Sequence, residues 1–115
     1  WEIDQRQRVG NLYHELIVSG GIDVQTIRSD RTSVYAQYTI LVNDRDAMQK
    51  RLSDRGIPTA IHYPVPLNEQ PAYRHLCCPD CTPIASKVAS RVMSLPMSPD
   101  LKAKEQQKIV KELLS

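Results

Sequence analysis

The sequence predicts an α+β domain, a small antiparallel or mixed sheet of about three strands with helices packed on one side. Apolar residues Val9, Leu12, Tyr13, Leu16 and Ile17 recur at the three- and four-residue spacing of an amphipathic helix. Val34 to Val42 alternates instead, with Val34, Ala36, Tyr38, Ile40 and Val42 on one face and Tyr35, Gln37, Thr39 and Leu41 on the other. A helical pattern and a further short strand follow at once. So tight a strand–helix–strand run suits helices packed on one face of a small sheet.

The first helix is expected from about Asp4 to Ser19 and ends at Gly20-Gly21, because glycine adopts the left-handed C-cap without steric cost. Val24 to Ile27 is a short strand candidate, and polar Arg28 to Arg31 reads as a turn. After the alternating strand, Asn43 is placed to cap a helix, with Asp46 favourable near its N-terminal dipole. That helix runs to about Arg55, buries Ala47, Met48 and Leu52, and stops at Gly56. Thr59 to Tyr63 is the next strand. Leu67 to Thr82 lacks a period and reads as a loop, with one helical turn near Pro71 to His75. Pro83 suits the first position of a third helix capped by Thr82, with Ile84, Ala85, Val88, Ala89 and Val92 as its apolar stripe. Met93 to Pro96 is extended. Pro99 is expected to start a last helix that turns Leu101, Ile109, Val110, Leu113 and Leu114 inward.

A chain of 115 residues is expected to form one domain, 1–115, with a thin core. Phe is absent, so Leu, Ile and Val do most of the packing. The net charge is +2 with both signs interspersed, which argues against a dedicated nucleic-acid face. Lys102, Lys104, Lys108 and Lys111 share one helix with Glu105 and Glu112 and read as a solvated face. No apolar run approaches the roughly 20 residues that span a bilayer, so no membrane partner is expected. Trp1-Glu2-Ile3-Asp4 lacks the apolar core of a signal peptide and has no initiator Met. We therefore expect a cytoplasmic protein in which this stretch begins inside a longer chain.

The stretch from Gly56 to Tyr73 carries the most chemistry. Its apolar run ends in His62-Tyr63, and Pro64 and Pro66 then force the backbone out of any sheet. Each proline also pushes the residue before it to extended geometry. The product is a stiff arm with an imidazole and a phenol at its root and Gln70 and Tyr73 further along. Near neutral pH imidazole offers a donor and an acceptor, suited to a carboxylate or hydroxyl.

This arm resembles the His-Tyr-Pro arm of the DegT-type pyridoxal-phosphate sugar aminotransferases, which aminate keto-sugars on nucleotide carriers. Pro66-Leu67 and Gln70-Pro71 stand in the matching places. Ser94-Leu95-Pro96-Met97, with Pro99 and Leu101, is similar to the family's late Ser-Leu-Pro-Met segment. Ser33 to Thr39 resembles the central strand of members acting on UDP-linked 3-keto-hexuronic acids. Three positions depart from the pattern, Asp100 among them in place of a frequent aromatic. Asn68 stands where many members carry a second His, and Lys102 replaces a Ser or Thr cap, leaving Ser98 or Asp100 to cap the last helix.

The resemblance implies the small C-terminal domain of a fold-type I enzyme, with the large pyridoxal-phosphate-binding domain preceding Trp1. It implies substrate binding by His62, Tyr63, Gln70 and Tyr73, with a nucleotide sugar and an amino-acid donor as ligands. It further implies a homodimer in the intact enzyme and a role in surface polysaccharide biosynthesis. Amino transfer needs a Schiff-base lysine and an acid at the pyridine nitrogen. Lys50, Lys87, Lys102, Lys104, Lys108 and Lys111 all fall on polar helix positions, so none is assigned that role. We expect no catalytic residue, no cofactor-binding residue and no activity from this stretch alone. The alternative is a stand-alone, non-enzymatic α+β module that binds a ligand or protein.

Other motifs are weaker. His75, Cys77, Cys78 and Cys81 include one C-x-x-C pair, whereas closed zinc sites usually draw on two pairs. We expect no metal there and no disulfide framework, but exposed, oxidisable thiols. Arg28, Arg31 and Arg45 read as solvated turn residues rather than anion ligands. Ser94 reads as part of a packing strand without nucleophile chemistry.

Overall fold

The computed structural model describes residues 1–78 and 80–115 and builds the expected α+β architecture from four α-helices and a three-stranded antiparallel sheet. Helix α1 (Glu2–Val18) forms on the three- and four-residue repeat and buries Val9, Tyr13 and Ile17. Gly21, at φ 74°, takes the left-handed turn that follows it. Strands β1 (Asp23–Val24), β2 (Tyr38–Leu41) and β3 (Val92–Leu95) pair in the order β1-β2-β3. Helix α2 (Arg45–Asp54) follows β2, α3 (Pro83–Ala89) precedes β3, and α4 (Ala103–Leu114) closes the chain.

The two faces of the sheet differ. Tyr38 pairs with Leu95 and Ile40 with Met93, and directly opposed residues project to the same side. All four are buried in the core with Tyr13 and Ile17 of α1, Leu52 of α2, and Ile109 and Leu113 of α4. Thr39 and Ser94, paired between them, point to the other side. Alternation along β2 and β3 thus packs one face on the helices and leaves a polar pair on its reverse.

Several elements are shorter than the pattern suggests. The Val34–Val42 strand contracts to Tyr38–Leu41 because Tyr35 sits at φ 43° and its partner strand ends before Pro96, which has no backbone donor. The Val24–Ile27 strand becomes Asp23–Val24, since the side chains beyond Val24 are exposed and pairing would bury nothing. Thr59–Tyr63 reduces to one antiparallel bridge, in which Ala60 N donates to Ser94 O at 3.1 Å and Ser94 N to Ala60 O at 2.7 Å. Pro58 and Pro64 bracket that bridge and halt further pairing.

Caps also move. Asp44, not Asn43, caps α2, its carboxylate accepting from Ala47 N at 3.1 Å. Ala47 is exposed, while Leu52 is buried. Pro99 lies in a Ser98–Leu101 turn rather than at a helix start, and α4 begins at Ala103. Its entry is held by Glu105, whose carboxylate accepts from Lys102 N at 2.9 Å, so neither Ser98 nor Asp100 is the cap. Leu114 is exposed, and Gln106 fills the buried place instead, donating to Val9 O at 2.8 Å. Arg51 donates to Leu113 O at 2.9 Å, a cation on the terminal carbonyls of α4.

The Tyr13 and Tyr38 rings lie 4.9 Å apart in this core. Tyr13 Oη donates to Pro96 O at 2.9 Å, while Tyr38 Oη is buried and has no partner among the described residues. Tyr13→Phe should therefore cost about 1 kcal/mol, and Tyr38→Phe should be neutral or stabilise by about 1 kcal/mol, as read by urea denaturation. Burial, reinforced by their mutual proximity to neighbouring tyrosines, raises both hydroxyls above the ordinary tyrosine range. The folded state then keeps protons that the unfolded chain releases, so this contribution is complete below about pH 10 and is lost as pH rises beyond it.

Candidate functional site

The site is built on the reverse face of the sheet. The Ala60 bridge lays the chain beside β3, and two residues later His62 returns to the side that carries Ser94. His62 Nδ1 lies 3.0 Å from Ser94 Oγ, and Ser94 Oγ lies 2.9 Å from Thr39 Oγ1. The imidazole is half-buried, with its root held by the sheet. Tyr63 follows across a cis peptide bond and is 72 % exposed, its ring edge-on to His62 with centroids 5.9 Å apart.

Pro64 and Pro66 carry the backbone away to a single 3-10 turn at Leu67–Glu69. Gln70 folds back, its amide donating to Val65 O at 3.4 Å. Tight turns continue to Leu76, so the helical turn expected near Pro71–His75 is present as a turn rather than an α-helix. Glu69 meets the Ser86 hydroxyl, tying the arm to α3. Pro83 opens α3 as expected, but the Thr82 hydroxyl is buried and makes no cap bond.

Between arm and α3 runs a groove of about 430 Å³, lined by His62, Tyr63, Val65, Gln70, Val88 and their neighbours. A smaller recess of about 260 Å³, bordered by Gln37, His62 and Ser94, adjoins it. His62 borders both. The structure thus brings His62, Tyr63 and Gln70 to one groove and leaves Tyr73 outside its lining, about half exposed. The α3 stripe is corrected here, because Ile84 is 77 % exposed and only Ala89 of that helix is buried. Leu67 and Leu76 of the arm are also largely exposed.

Another cleft of about 440 Å³ opens beside Asp23, Asp44, Arg51 and Arg91. Its charges are engaged in holding the fold. Arg91 pairs with Asp23 at 3.3 Å, Asp44 caps α2, and Arg51 binds the end of α4.

Arg28 and Arg31 both pair with Asp30 on an exposed turn. Arg45 is not a solvated turn residue. It is largely buried and donates to Ala89 O at 2.7 Å, at the C-terminal end of α3. Cys78 and Cys81 are joined in a disulfide, which corrects the expectation of free thiols there, and Cys77 remains free and exposed. Pro79, inside that C-x-x-C pair, lies outside the described residues. Among the described residues no three His, Cys, Asp or Glu side chains converge as a metal site. No helix among them is long and apolar enough to cross a membrane.

All six lysines are exposed. A Schiff-base lysine needs a desolvated setting that lowers its basicity, so the residues present do not fit a pyridoxal-phosphate anchor. Ser94 and Thr39 escaped the sequence reading as site residues. A hydroxyl flanked by Met93 and Leu95 in a fully buried strand was the available signal.

The chain matches the DegT/DnrJ/EryC1/StrS aminotransferase family over residues 1–114. It is 43% identical over 100 residues to the UDP-2-acetamido-2-deoxy-3-oxo-D-glucuronate aminotransferase of Pseudomonas aeruginosa, covering 87% of this chain and 27% of that protein. It is 35% identical over 106 residues to the UDP-N-acetyl-3-dehydro-alpha-D-glucosamine 3-aminotransferase of Acidithiobacillus ferrooxidans, covering 92% of this chain and 28% of that protein. Among solved structures, a DegT DnrJ EryC1 StrS aminotransferase from Brucella abortus superposes with a TM-score of 0.90 at 34% identity, over 97% of this chain and 30% of that one. DesV of S. venezuelae, solved with a ketimine intermediate, gives a TM-score of 0.91 at 28% identity, over 97% of this chain and 31% of that one. The chain therefore spans less than a third of the length of the relatives it matches, and it belongs to the DegT/DnrJ/EryC1/StrS aminotransferase family.

Proposed function

We propose that residues 1–115 form the C-terminal, substrate-contacting domain of an enzyme that aminates a nucleotide-linked keto-sugar for surface polysaccharide biosynthesis. The observation that carries this reading is the arm. It holds His62 against the sheet, presents Tyr63 outward and brings Gln70 to the same groove. The identity to an aminotransferase whose name specifies a UDP-linked 3-oxo-glucuronate supports a sugar acid as the substrate class. Pyridoxal phosphate, bound by an N-terminal large domain, supplies the electron sink for amino transfer. The residues of this chain bind and orient. His62 and Tyr63 contact the sugar or the donor acid, and Gln70 and Tyr73 extend that contact. The intact enzyme works as a cytoplasmic homodimer, and this stretch alone is inactive.

The test uses the full-length enzyme with a UDP-linked 3-keto-sugar and an amino-acid donor. A hydrogen bond to a charged group is worth about 1.5–3 kcal/mol, so His62→Ala should lower kcat/KM for the sugar by about 10- to 100-fold. Unchanged KM and turnover in that variant would remove His62 from the site.

A further inference from the structure

The hydroxyl chain beneath His62 has a direction. Ser94 is 4 % exposed, so its one proton needs a partner inside the protein. Two arrangements satisfy it. In the first, Thr39 donates to Ser94, Ser94 donates to Nδ1 of His62, and the ring proton sits on Nε2. In the second, Nδ1–H donates to Ser94 and Ser94 donates to Thr39. The Thr39 proton then finds no acceptor among the hydrogen bonds of the described residues. The first arrangement keeps both hydroxyl protons inside the protein, whereas the second turns that of half-buried Thr39 out to solvent.

We infer that Ser94 and Thr39 are positioning residues that lock neutral His62 as the Nε2–H tautomer, so that the arm offers its ligand a donor. Nε2 has no protein partner among the described residues, and the ring borders both grooves. The group it addresses must therefore accept: a carboxylate, carbonyl or hydroxyl oxygen. A ligand offering only an amine or ammonium at that point is disfavoured. The inference rests on the proposed reading of His62 as a ligand contact, and it adds which atom of the ring does the work and which residues set it.

The test is a two-bond proton–nitrogen NMR correlation of the 115-residue chain, labelled with ¹⁵N-histidine, at alkaline pH where imidazoles are neutral. His62 should show the pattern of pure Nε2–H. The exposed His14 and His75 should show the averaged shifts of exchanging tautomers. Ser94→Ala and Thr39→Val should each move His62 toward those averaged values, and Thr39→Ser, which keeps the hydroxyl, should restore the wild-type pattern. An Nδ1–H pattern in the wild type, or a His62 indifferent to both substitutions, overturns the inference. If the variants fail to fold, the wild-type pattern still decides the direction of the chain. No substrate is present, so a wrong tautomer leaves the contact role of His62 standing, whereas unaltered kinetics in His62→Ala remove the contact role without touching the tautomer.

Discussion

Tyr13→Ala should destabilise the domain by about 4 kcal/mol, since truncating a fully buried aromatic leaves a cavity that its surroundings cannot fill. Tyr13 is 0 % exposed and stands among the largest fully buried side chains. It packs 4.9 Å from the ring of Tyr38 and holds Pro96 O through its hydroxyl. One side chain thus joins α1, β2 and the end of β3. Small domains have only about 5–15 kcal/mol in total, so the loss is a large fraction of stability. Thermal unfolding followed by circular dichroism should show the midpoint lowered by roughly 15 °C or more. A drop no larger than that of Tyr13→Phe would mean that the site collapses around the cavity. The change also loosens the strand that carries Ser94, so His62 should lose its hydroxyl partner before the domain unfolds globally.

Gly10→Val should cost about 3 kcal/mol, at the upper end for overpacking a well-filled site. A Cβ at Gly10 would lie 2.5 Å from Cδ2 and Cε2 of Tyr35 and 2.7 Å from its Cγ. Those are atoms near the base of a ring, and the ring cannot swing aside cheaply. It is stacked on Tyr38 with centroids 5.9 Å apart, and Tyr35 O accepts from Arg6 at 3.3 Å. Tyr35 already occupies φ 43°, a strained region for a bulky residue. Its side chain on Gly10 holds it there, which ends β2 at Tyr38. In an exposed helix interior, glycine is worse than most residues by up to about 1 kcal/mol, so a substitution there stabilises. The opposite sign at Gly10 is the diagnostic. Urea unfolding of Gly10→Val alone and in combination with Tyr35→Ala checks it. The second change should recover most of the loss, and equal, additive losses would show that the two residues do not meet.

Local chemistry was legible from the chain. The repeat of Val9, Tyr13 and Ile17 is spaced within one helix, and it specifies α1 whatever lies opposite. Pro64 and Pro66 act on their own φ and on the residue before each, so the arm was readable without a structure. The motifs around His62 and Ser94 were likewise enough to identify the family. Strand lengths and partners were not readable in this way. A period-two pattern shows which residues share a face, but the pairing stops where the neighbour stops, here at Pro96 and at Tyr35. The α3 stripe misled for a related reason. Periodicity reports an apolar face but not what covers it, and in this domain most of that face is open.

The partners of the site arise at long range. Ser94 lies 32 positions from His62 and 55 from Thr39, and no local preference links them. Only the register of β2 on β3, and the single Ala60 bridge beside them, bring the three groups together. Arg45 at the end of α3 and Arg51 at the end of α4 follow the same rule, 44 and 62 positions from the carbonyls they meet. Backbone preferences act over a few residues and can be read along the chain. Side-chain hydrogen bonds between distant segments depend on how helices and strands dock, so they become visible only once the whole core has closed.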